Sequence, residues 1–485
     1  MQSNNRSYAD AVNCLNSLQT NAAILEAIRS SNGYLNKSSL PEFREFCRKI
    51  GYEPSDFNRL NVIHITGTKG KGSTSAFVES ILRHYNQVEN TKQIQTGLFT
   101  SPHLIAVRER IRLNGNKLSE EKFTKYFFEC WDRLISNKKE DNDMPNYFRF
   151  LTLMAFHVFM NENVDVAIME VGIGGEHDST NIIEKPVVCG VASLGIDHQK
   201  ILGDTIEQIA WHKGGIFKEN VPAITIEQPI SAFETLRKRA NDINAPFIPI
   251  NSFDEKALNG IKLGLSGKHQ FINASLAIEL CRIWLEKQKG VKLSQKVPKE
   301  FIPGLVQVYW PGRAQLLKLP QYQNITWYFD GAHTLESMQA CIEWFKDNVL
   351  EKDNLVERIL VFNCTNDRNG VEILKQITST KPFIRFDHAI FCPNVTFINN
   401  QFKPDLQNNT IRIDEKLTLQ KNLAKSWGSL NSTIDNHEIH VFSSIEESIK
   451  WILEHCQQTN REIQVLVSGS LHLVGGVMTV LNIDV

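Results

Sequence analysis

Residues 61 to 74 read Asn-Val-Ile-His-Ile-Thr-Gly-Thr-Lys-Gly-Lys-Gly-Ser-Thr. The β-branched run Val62, Ile63 and Ile65 stops at Gly67. Gly67, Gly70 and Gly72 follow with Lys69 and Lys71 between them, and then Ala76, Phe77, Val78, Ile81 and Leu82 recur at helical spacing. The pattern predicts strand, glycine loop, helix. Such a loop turns backbone N–H groups inward and ends on the positive pole of a helix, which suits a polyphosphate. The stretch departs from the ordinary phosphate-loop pattern, in which Ser or Thr directly follows the lysine. Here Gly72 separates Lys71 from Ser73. Taken alone, the stretch also fits a glycine turn without a ligand, so the rest of the chain decides.

A chain of 485 residues exceeds one hydrophobic core and predicts at least two domains. With 42% apolar and 22% charged residues and a net charge of −1, it has a globular composition and no global footprint for nucleic acid or an anionic membrane. No apolar run reaches the ~18 residues of a transmembrane helix, and Phe150 to Met160 reads as a buried helix. The nine cysteines include no C-x-x-C pair, which argues against a structural zinc site and fits reduced thiols. The N-terminus lacks the apolar region of a signal peptide. The reduced thiols lead to the expectation of a cytoplasmic protein, and Arg6 with no acid before Asp10 leaves a mitochondrial form as the second option.

Helical periodicity runs through Ala11, Leu15, Leu18, Ile24, Leu25 and Ile28. Thr96 to Thr100 is a short strand entering Thr-Ser-Pro-His-Leu at 100–104, and Pro102 puts Ser101 on an extended turn. Val107 to Leu113 alternates apolar residues with Arg108, Arg110 and Arg112 and then meets Asn114-Gly115, a hairpin signal. On pattern, those arginines form a solvated strand face or an anion-binding one. Val164 to Val171 and Val187 to Leu194 read as buried parallel strands, leading into Gly172-Ile173-Gly174-Gly175 and Gly195-Ile196-Asp197-His198. Phe301 to Arg313 contains Pro303, Gly304, Pro311 and Gly312 and reads as a linker. The α/β pattern then restarts: a strand at Trp327 to Phe329 precedes Asp330-Gly331-Ala332-His333, and a last strand, Val465 to Val467, feeds Ser468-Gly469-Ser470. The expected fold is α/β. An N-terminal mononucleotide-binding domain (1–302) with an open, mostly parallel sheet is followed by a linker (303–314) and a smaller Rossmann-like domain (315–485).

Ligands of open α/β sheets sit at the C-terminal strand ends. Glu170 ends an otherwise apolar strand, where a carboxylate needs compensation. Mg²⁺ beside a phosphate loop would provide it; a carboxylate capping the glycine turn is the simpler alternative. His198 and Lys213 are ambiguous on pattern alone. Arg313 is either a surface arginine in a rigid turn or a planar, bidentate phosphate ligand. The Gly172–Gly175 run lacks dinucleotide spacing, and no Ser-His-Asp or Cys-His signature occurs.

The ordered set Gly-Thr-Lys-Gly-Lys-Gly-Ser (67–73), Thr-Ser-Pro-His-Leu (100–104), Glu-Val-Gly-Ile-Gly-Gly (170–175), Gly-Ile-Asp-His (195–198), Lys-Gly-Gly-Ile-Phe-Lys (213–218), Trp-Pro-Gly-Arg (310–313) and Asp-Gly-Ala-His (330–333) resembles the folylpolyglutamate synthases of the Mur ligase superfamily. Arg-Glu-Arg-Ile-Arg (108–112), Pro-Val-Val-Cys-Gly-Val (186–191) and Gly-Ser-Leu-His-Leu-Val-Gly-Gly (469–476) resemble the eukaryotic type. That family's phosphate loop carries the same extra glycine. The resemblance implies ATP phosphates held by Gly70, Lys71, Gly72, Ser73 and Thr74. It implies Mg²⁺ at Ser101, Glu170 and His198, and nucleotide contacts from Arg313, Asp330 and His333. Lys71, His198 and Lys213 would be catalytic, Lys213 matching a lysine that bacterial relatives carry as a carbamate. A monovalent cation such as K⁺ is compatible with this set. The implied activity is ATP-dependent addition of L-glutamate to the γ-carboxylate of tetrahydrofolate polyglutamates by a monomer, without nucleic-acid partners. The alternatives are a dihydrofolate synthase joining glutamate to dihydropteroate and an ATP-binding regulator without catalysis.

Overall fold

A computed structural model of the chain describes residues 6–19, 39–89, 93–140, 143–258, 260–349, 356–364, 369–379, 384–398, 404–406, 416–431 and 438–484. The chain forms two compact units. The first comprises residues up to His103, Val107–Gly264 and Gln270–Tyr309; the second comprises Leu104–Ala106, Leu265–His269 and Trp310–Val485.

The first unit opens with α1 (Tyr8–Ser17), capped by Ser7, and α2 (Ser39–Lys49). The periodicity expected at Ile24, Leu25 and Ile28 lies outside the described residues. There follow β1 (Ile63–Thr66), α3 (Lys71–Glu89), β2 (Thr96–Phe99), β3 (Ile111–Leu113), β4 (Asn116–Lys117), α4 (Glu120–Ser136), α5 (Tyr147–Asn161), β5 (Val166–Glu170), β6 (Val188–Val191), α6 (Ile206–Gly214), β7 (Ala223–Thr225), α7 (Ile230–Asp242), β8 (Phe247–Pro249), α8 (His269–Lys289) and α9 (Ile302–Gln307). The sheet order is β4-β3-β2-β5-β1-β6-β7-β8. Strands β2 to β8 run parallel in it, and β3 and β4 add an antiparallel edge. β1 is central, with β2 to β5 on one side of it and β6 to β8 on the other. Such a switch point opens a crevice at the strand C-termini.

The strands at this centre are buried on both faces, so they are short apolar runs. α5 is buried from Phe150 to Met160, and Phe156 stacks on Phe57 with ring centroids 4.4 Å apart. Each such side chain contributes roughly 1.5–3 kcal/mol on burial.

The strand expected over Val107 to Leu113 begins only at Ile111, and Val107–Arg110 is a 3₁₀ turn. The partner strand explains this: β2 offers four residues, and β3 pairs with Gly97, Leu98 and Phe99 alone. Within the linker expected at 303–314, residues 303–307 are helical. α9 lies against α3, where a Cβ on Gly304 would fall 2.4 Å from the Ile81 Cα, and Ser80 Oγ donates to the Gly304 carbonyl at 2.8 Å.

The second unit contains β9 (Gln315–Leu319), β10 (Tyr322–Phe329), α10 (Leu335–Asn348), β11 (Val356–Phe362), α11 (Gly370–Thr378), β12 (His388–Phe391), α12 (Thr418–Leu430), β13 (Glu438–Val441), α13 (Ile445–Gln458), β14 (Glu462–Ser468) and α14 (Leu471–Val480). Its sheet order is β13-β12-β11-β14-β10-β9, parallel except for β9. Apolar clusters cover both faces, one around Trp327 and Val465 and the other around Tyr328 and Phe345.

Candidate active site

The loop after β1 is built by close approach. A Cβ on Gly67 would meet the Ala192 Cβ at 2.8 Å, and one on Gly70 would meet Asn273 Oδ1 at 2.1 Å. Gly70 has φ +79°, a conformation costly for other residues. The Thr68 and Lys69 amides donate to the Ser193 carbonyl at 2.9 and 3.0 Å. Thr68 Oγ1 donates to the Gly195 carbonyl at 3.0 Å, and Lys69 pairs with Asp197 at 3.5 Å. Thr66 Oγ1 donates to the Gly174 carbonyl at 2.6 Å. The ends of β1, β5 and β6 are thereby tied into one rim.

At that rim two lysines converge. Lys71 Nζ and Lys213 Nζ both donate to the Gly67 carbonyl, at 2.9 and 2.8 Å. Lys213 is buried. Desolvation, reinforced by the neighbouring Lys71 charge, pulls its pKa well below the usual lysine range. Ser73 and Thr74 lie in the first turn of α3, whose positive pole faces the loop. The hydroxyls of Thr74 and Ser75 are buried without a hydrogen-bond partner. Two lysines at a glycine loop, followed by buried hydroxyls left in this way, suit an anionic ligand with many oxygens.

Ser101 follows β2 and Glu170 ends the neighbouring β5, and the Ser101 amide donates to Glu170 Oε2 at 3.2 Å. His198 is exposed on the loop after β6, at φ +53°. The structure thus brings Ser101 and Glu170 together, while His198 stands beyond β1 on the loop that also holds Asp197. A hydroxyl, a carboxylate and an imidazole fit a hard divalent ion that keeps several waters.

Of the three arginines at 108–112, none forms the solvated strand face. Arg108 donates to the Leu118 carbonyl at 3.0 Å, and Arg112 is buried. Arg110 donates to His103 Nδ1 at 2.9 Å and lies over the Tyr147 ring at 5.4 Å. Burial lowers the Arg110 pKa, while Tyr147, Glu109 and Glu170 pull it back up.

In the second unit Asp330 is buried at the end of β10. Its carboxylate accepts from the Ala314 amide at 2.7 Å and the Ala332 amide at 2.9 Å. His333 Nδ1 lies 2.7 Å from the Gly331 carbonyl, and a Cβ on Gly331 would fall 2.6 Å from Arg313 Nη1. Asp330 and Arg313 therefore share one turn.

Two residues at the site escaped the sequence reading. Asp178 accepts from the Gly172 and Ile173 amides at 3.1 and 3.2 Å and braces the glycine turn after β5. Asn273 lies against Gly70. Its signal was a buried polar pair, Gln270 and Asn273, in the first turns of α8.

Residues 65–257 match the family model described as Mur ligase middle domain, and residues 315–480 match Dihydrofolate synthetase, C-terminal domain. A folylpolyglutamate synthase of Saccharomyces cerevisiae is 45% identical over 99% of this chain and 88% of its own length. That of Candida albicans is 41% identical over 98% of this chain and 96% of its own length. The chain belongs to the folylpolyglutamate synthase family. Membership makes it a ligase of the Mur type. The fold agrees: the solved folylpolyglutamate synthase of Mycobacterium tuberculosis complexed with ADP superposes with a TM-score of 0.74 at 21% identity, over 98% of this chain and 99% of that one. Among the described residues, no helix is long and apolar enough to cross a membrane.

Proposed function

We propose that the protein adds L-glutamate to the γ-carboxylate of a tetrahydrofolate and extends a poly-γ-glutamate chain, converting ATP to ADP and phosphate. One observation supports this most directly. Lys71 and Lys213 point at a single carbonyl in a glycine loop whose neighbouring hydroxyls lack partners. This is surplus positive charge positioned for a polyphosphate, and the family supplies the acceptor class.

A carboxylate is a poor electrophile, and phosphorylation corrects that. A γ-carboxylate oxygen attacks the γ-phosphorus of ATP, the bond to the β-phosphate oxygen breaks, and ADP leaves. The glutamate amine then attacks the acyl carbon. The C–N bond forms, phosphate departs with the former carboxylate oxygen, and the amine proton passes to solvent. Lys71 exchanges the Gly67 carbonyl for phosphate oxygens and stabilises charge that grows on them. Gly70, Gly72, Ser73 and Thr74 cradle the phosphates; for Arg313, Asp330 and His333 the nucleotide role rests on the family resemblance.

Ser101, Glu170 and His198 are the residues that would hold Mg²⁺, which when bound neutralises phosphate charge. The lowered Lys213 pKa makes the neutral amine easier to reach, the form that takes up CO₂ with loss of one proton. A carbamate there would turn a repelling cation into a carboxylate-like ligand.

The match of residues 315–480 to a dihydrofolate synthetase domain keeps dihydropteroate as a second acceptor. The test is ADP release with glutamate, offered tetrahydrofolate or dihydropteroate in separate reactions. Stimulation by tetrahydrofolate supports polyglutamylation. Stimulation by dihydropteroate alone replaces it, and no stimulation by either returns the chain to an ATP-binding regulator.

A further inference from the structure

A second cluster of ligating side chains lies on the other unit, at the N-terminal ends of β11, β12 and β13. Ile359 pairs with His388, and His388 pairs with Glu438. The two-residue period of strands puts Glu357 and His440 on that same face. α13 crosses it and brings Trp451 and, one turn on, His455; the Trp451 ring lies 4.1 Å from His440 and 5.1 Å from His388. The turn carrying Asp330 and Arg313 follows the C-terminal end of β10. The cluster is therefore at the opposite end of the sheet from the nucleotide residues.

Three atoms form a nearly equilateral triangle. His388 Nδ1 is 3.4 Å from His440 Nε2 and 3.6 Å from Glu438 Oε2, and His440 Nε2 is 3.6 Å from Glu438 Oε2. An ion seen by all three at tetrahedral angles would sit about 2.1–2.2 Å from each, the range of zinc–imidazole and zinc–carboxylate bonds. The other nitrogen of His388 is already committed. Its Nε2 lies 2.5 Å from Glu357 Oε1, which also receives His455 Nε2 at 2.7 Å. A buried carboxylate holding Nε2–H leaves the Nδ1 lone pair facing the triangle. Metal-bound histidines are oriented by carboxylates in the same way.

We propose that His388 Nδ1, His440 Nε2 and Glu438 Oε2 bind one divalent transition-metal ion of the zinc class, with water in the fourth position and Glu357 as the positioning carboxylate. The donor set excludes Mg²⁺, which prefers six oxygens. Among the described residues, β13 is an edge strand and pairs only with β12. An ion bridging His388 of β12 to Glu438 and His440 of β13 clasps that edge, so its binding energy becomes stability of the second unit. The missing C-x-x-C pair does not bear on such a site, because its ligands come from two strands and no cysteine is needed.

The experiment uses the full-length protein, stripped with a chelator and held free of Mg²⁺ and ATP. Co²⁺ is titrated while visible absorption is read, and Zn²⁺ is then added in competition. The expected result is one equivalent of Co²⁺ with the strong visible band of a tetrahedral site, displaced by Zn²⁺ and retained in Glu170→Gln. Glu438→Gln and His440→Asn should each weaken binding at least 10-fold, and Glu357→Gln by about 10–100-fold. The Glu438 side chain is 67% exposed, so its variant tests the ion without disturbing the core. Zn²⁺ should raise the melting temperature of the parent and leave that of Glu438→Gln unchanged. Absence of Co²⁺ binding overturns the proposal. So does binding unchanged in both Glu438→Gln and His440→Asn, which would place the ion elsewhere, for example at Glu176, His177 and His212.

Discussion

The turns at the ends of β1 and β10 hold comparable polar groups and use them in opposite ways. After β10, the buried Asp330 carboxylate is satisfied by two amides of its own unit. After β1, two lysines share one carbonyl and two buried hydroxyls have no partner. The first turn saves its hydrogen-bonding capacity for something else, and the second spends it on holding its own shape. Variants in the first should therefore lose activity before stability, and variants in the second should lose stability first.

The largest expected effect concerns His64, buried on β1 with its Nε2 2.9 Å from Thr180 Oγ1 and its Nδ1 unpartnered. Burial, with a smaller push from Lys218, lowers its pKa to about 3. The unfolded chain takes up this proton near pH 6.5 and the folded chain only near 3, so stability falls as pH drops through that window. The loss is roughly 1.4 kcal/mol per pH unit and about 4–5 kcal/mol in all. Urea melts over this range should show it, and His64→Gln should flatten the slope. An unchanged slope would remove the acid sensitivity from the first unit.

Lys71→Ala should lower kcat/KM for ATP about 10³-fold, in line with loss of a charge aimed at the transition state. Its melting temperature should stay within about 2 °C of the parent. A loss below tenfold would break the contrast drawn above. Asp330→Ala should instead cost roughly 2–4 kcal/mol in denaturant melts, because two buried amides lose their acceptor. An Asp330→Ala protein of parental stability would show that the second turn also serves something beyond itself.

Lys213→Ala should reduce kcat about 10²-fold without loss of stability, since a buried cation disappears with it. Full activity in this variant would eliminate the carbamate. The smallest effect is expected for Gly70→Ala. Its φ of +79° and the 2.1 Å approach to Asn273 Oδ1 should raise the KM for ATP about tenfold. An unchanged KM would show that Asn273 yields and that the loop's shape is not set there.

What was legible in the sequence were the features written in neighbouring residues. The strand, loop and helix at 63–89, β5 with its apolar run closed by Glu170, and the buried α5 each carry their pattern within a single stretch. The 3₁₀ turn at Val107–Arg110 was misread because its alternation mimics a strand, whereas the deciding fact was the short length of β2. β9 and β13 are edge strands with half-exposed patterns that no single window distinguishes from loop. Asp178 matters through amides five and six positions back in the chain, and Asn273 through Gly70 on a distant loop. His388 and His440 are 52 positions apart, and the strand register brings them together.

The chain visits the second unit through Leu104–Ala106 and Leu265–His269 before entering it for good at Trp310. The first of these visits is firmly seated: a Cβ on Gly475 would lie 1.9 Å from the Leu104 carbonyl oxygen. The consequence concerns inheritance. The halves of this protein are not cassettes that a single crossover can exchange. A recombinant joined at residue 310 would inherit a notch at Gly475 from one parent and the strand of chain that fills it from the other. Drift at Leu104 is thus answerable to a glycine some 370 positions away, and the two genes' worth of sequence must be inherited together.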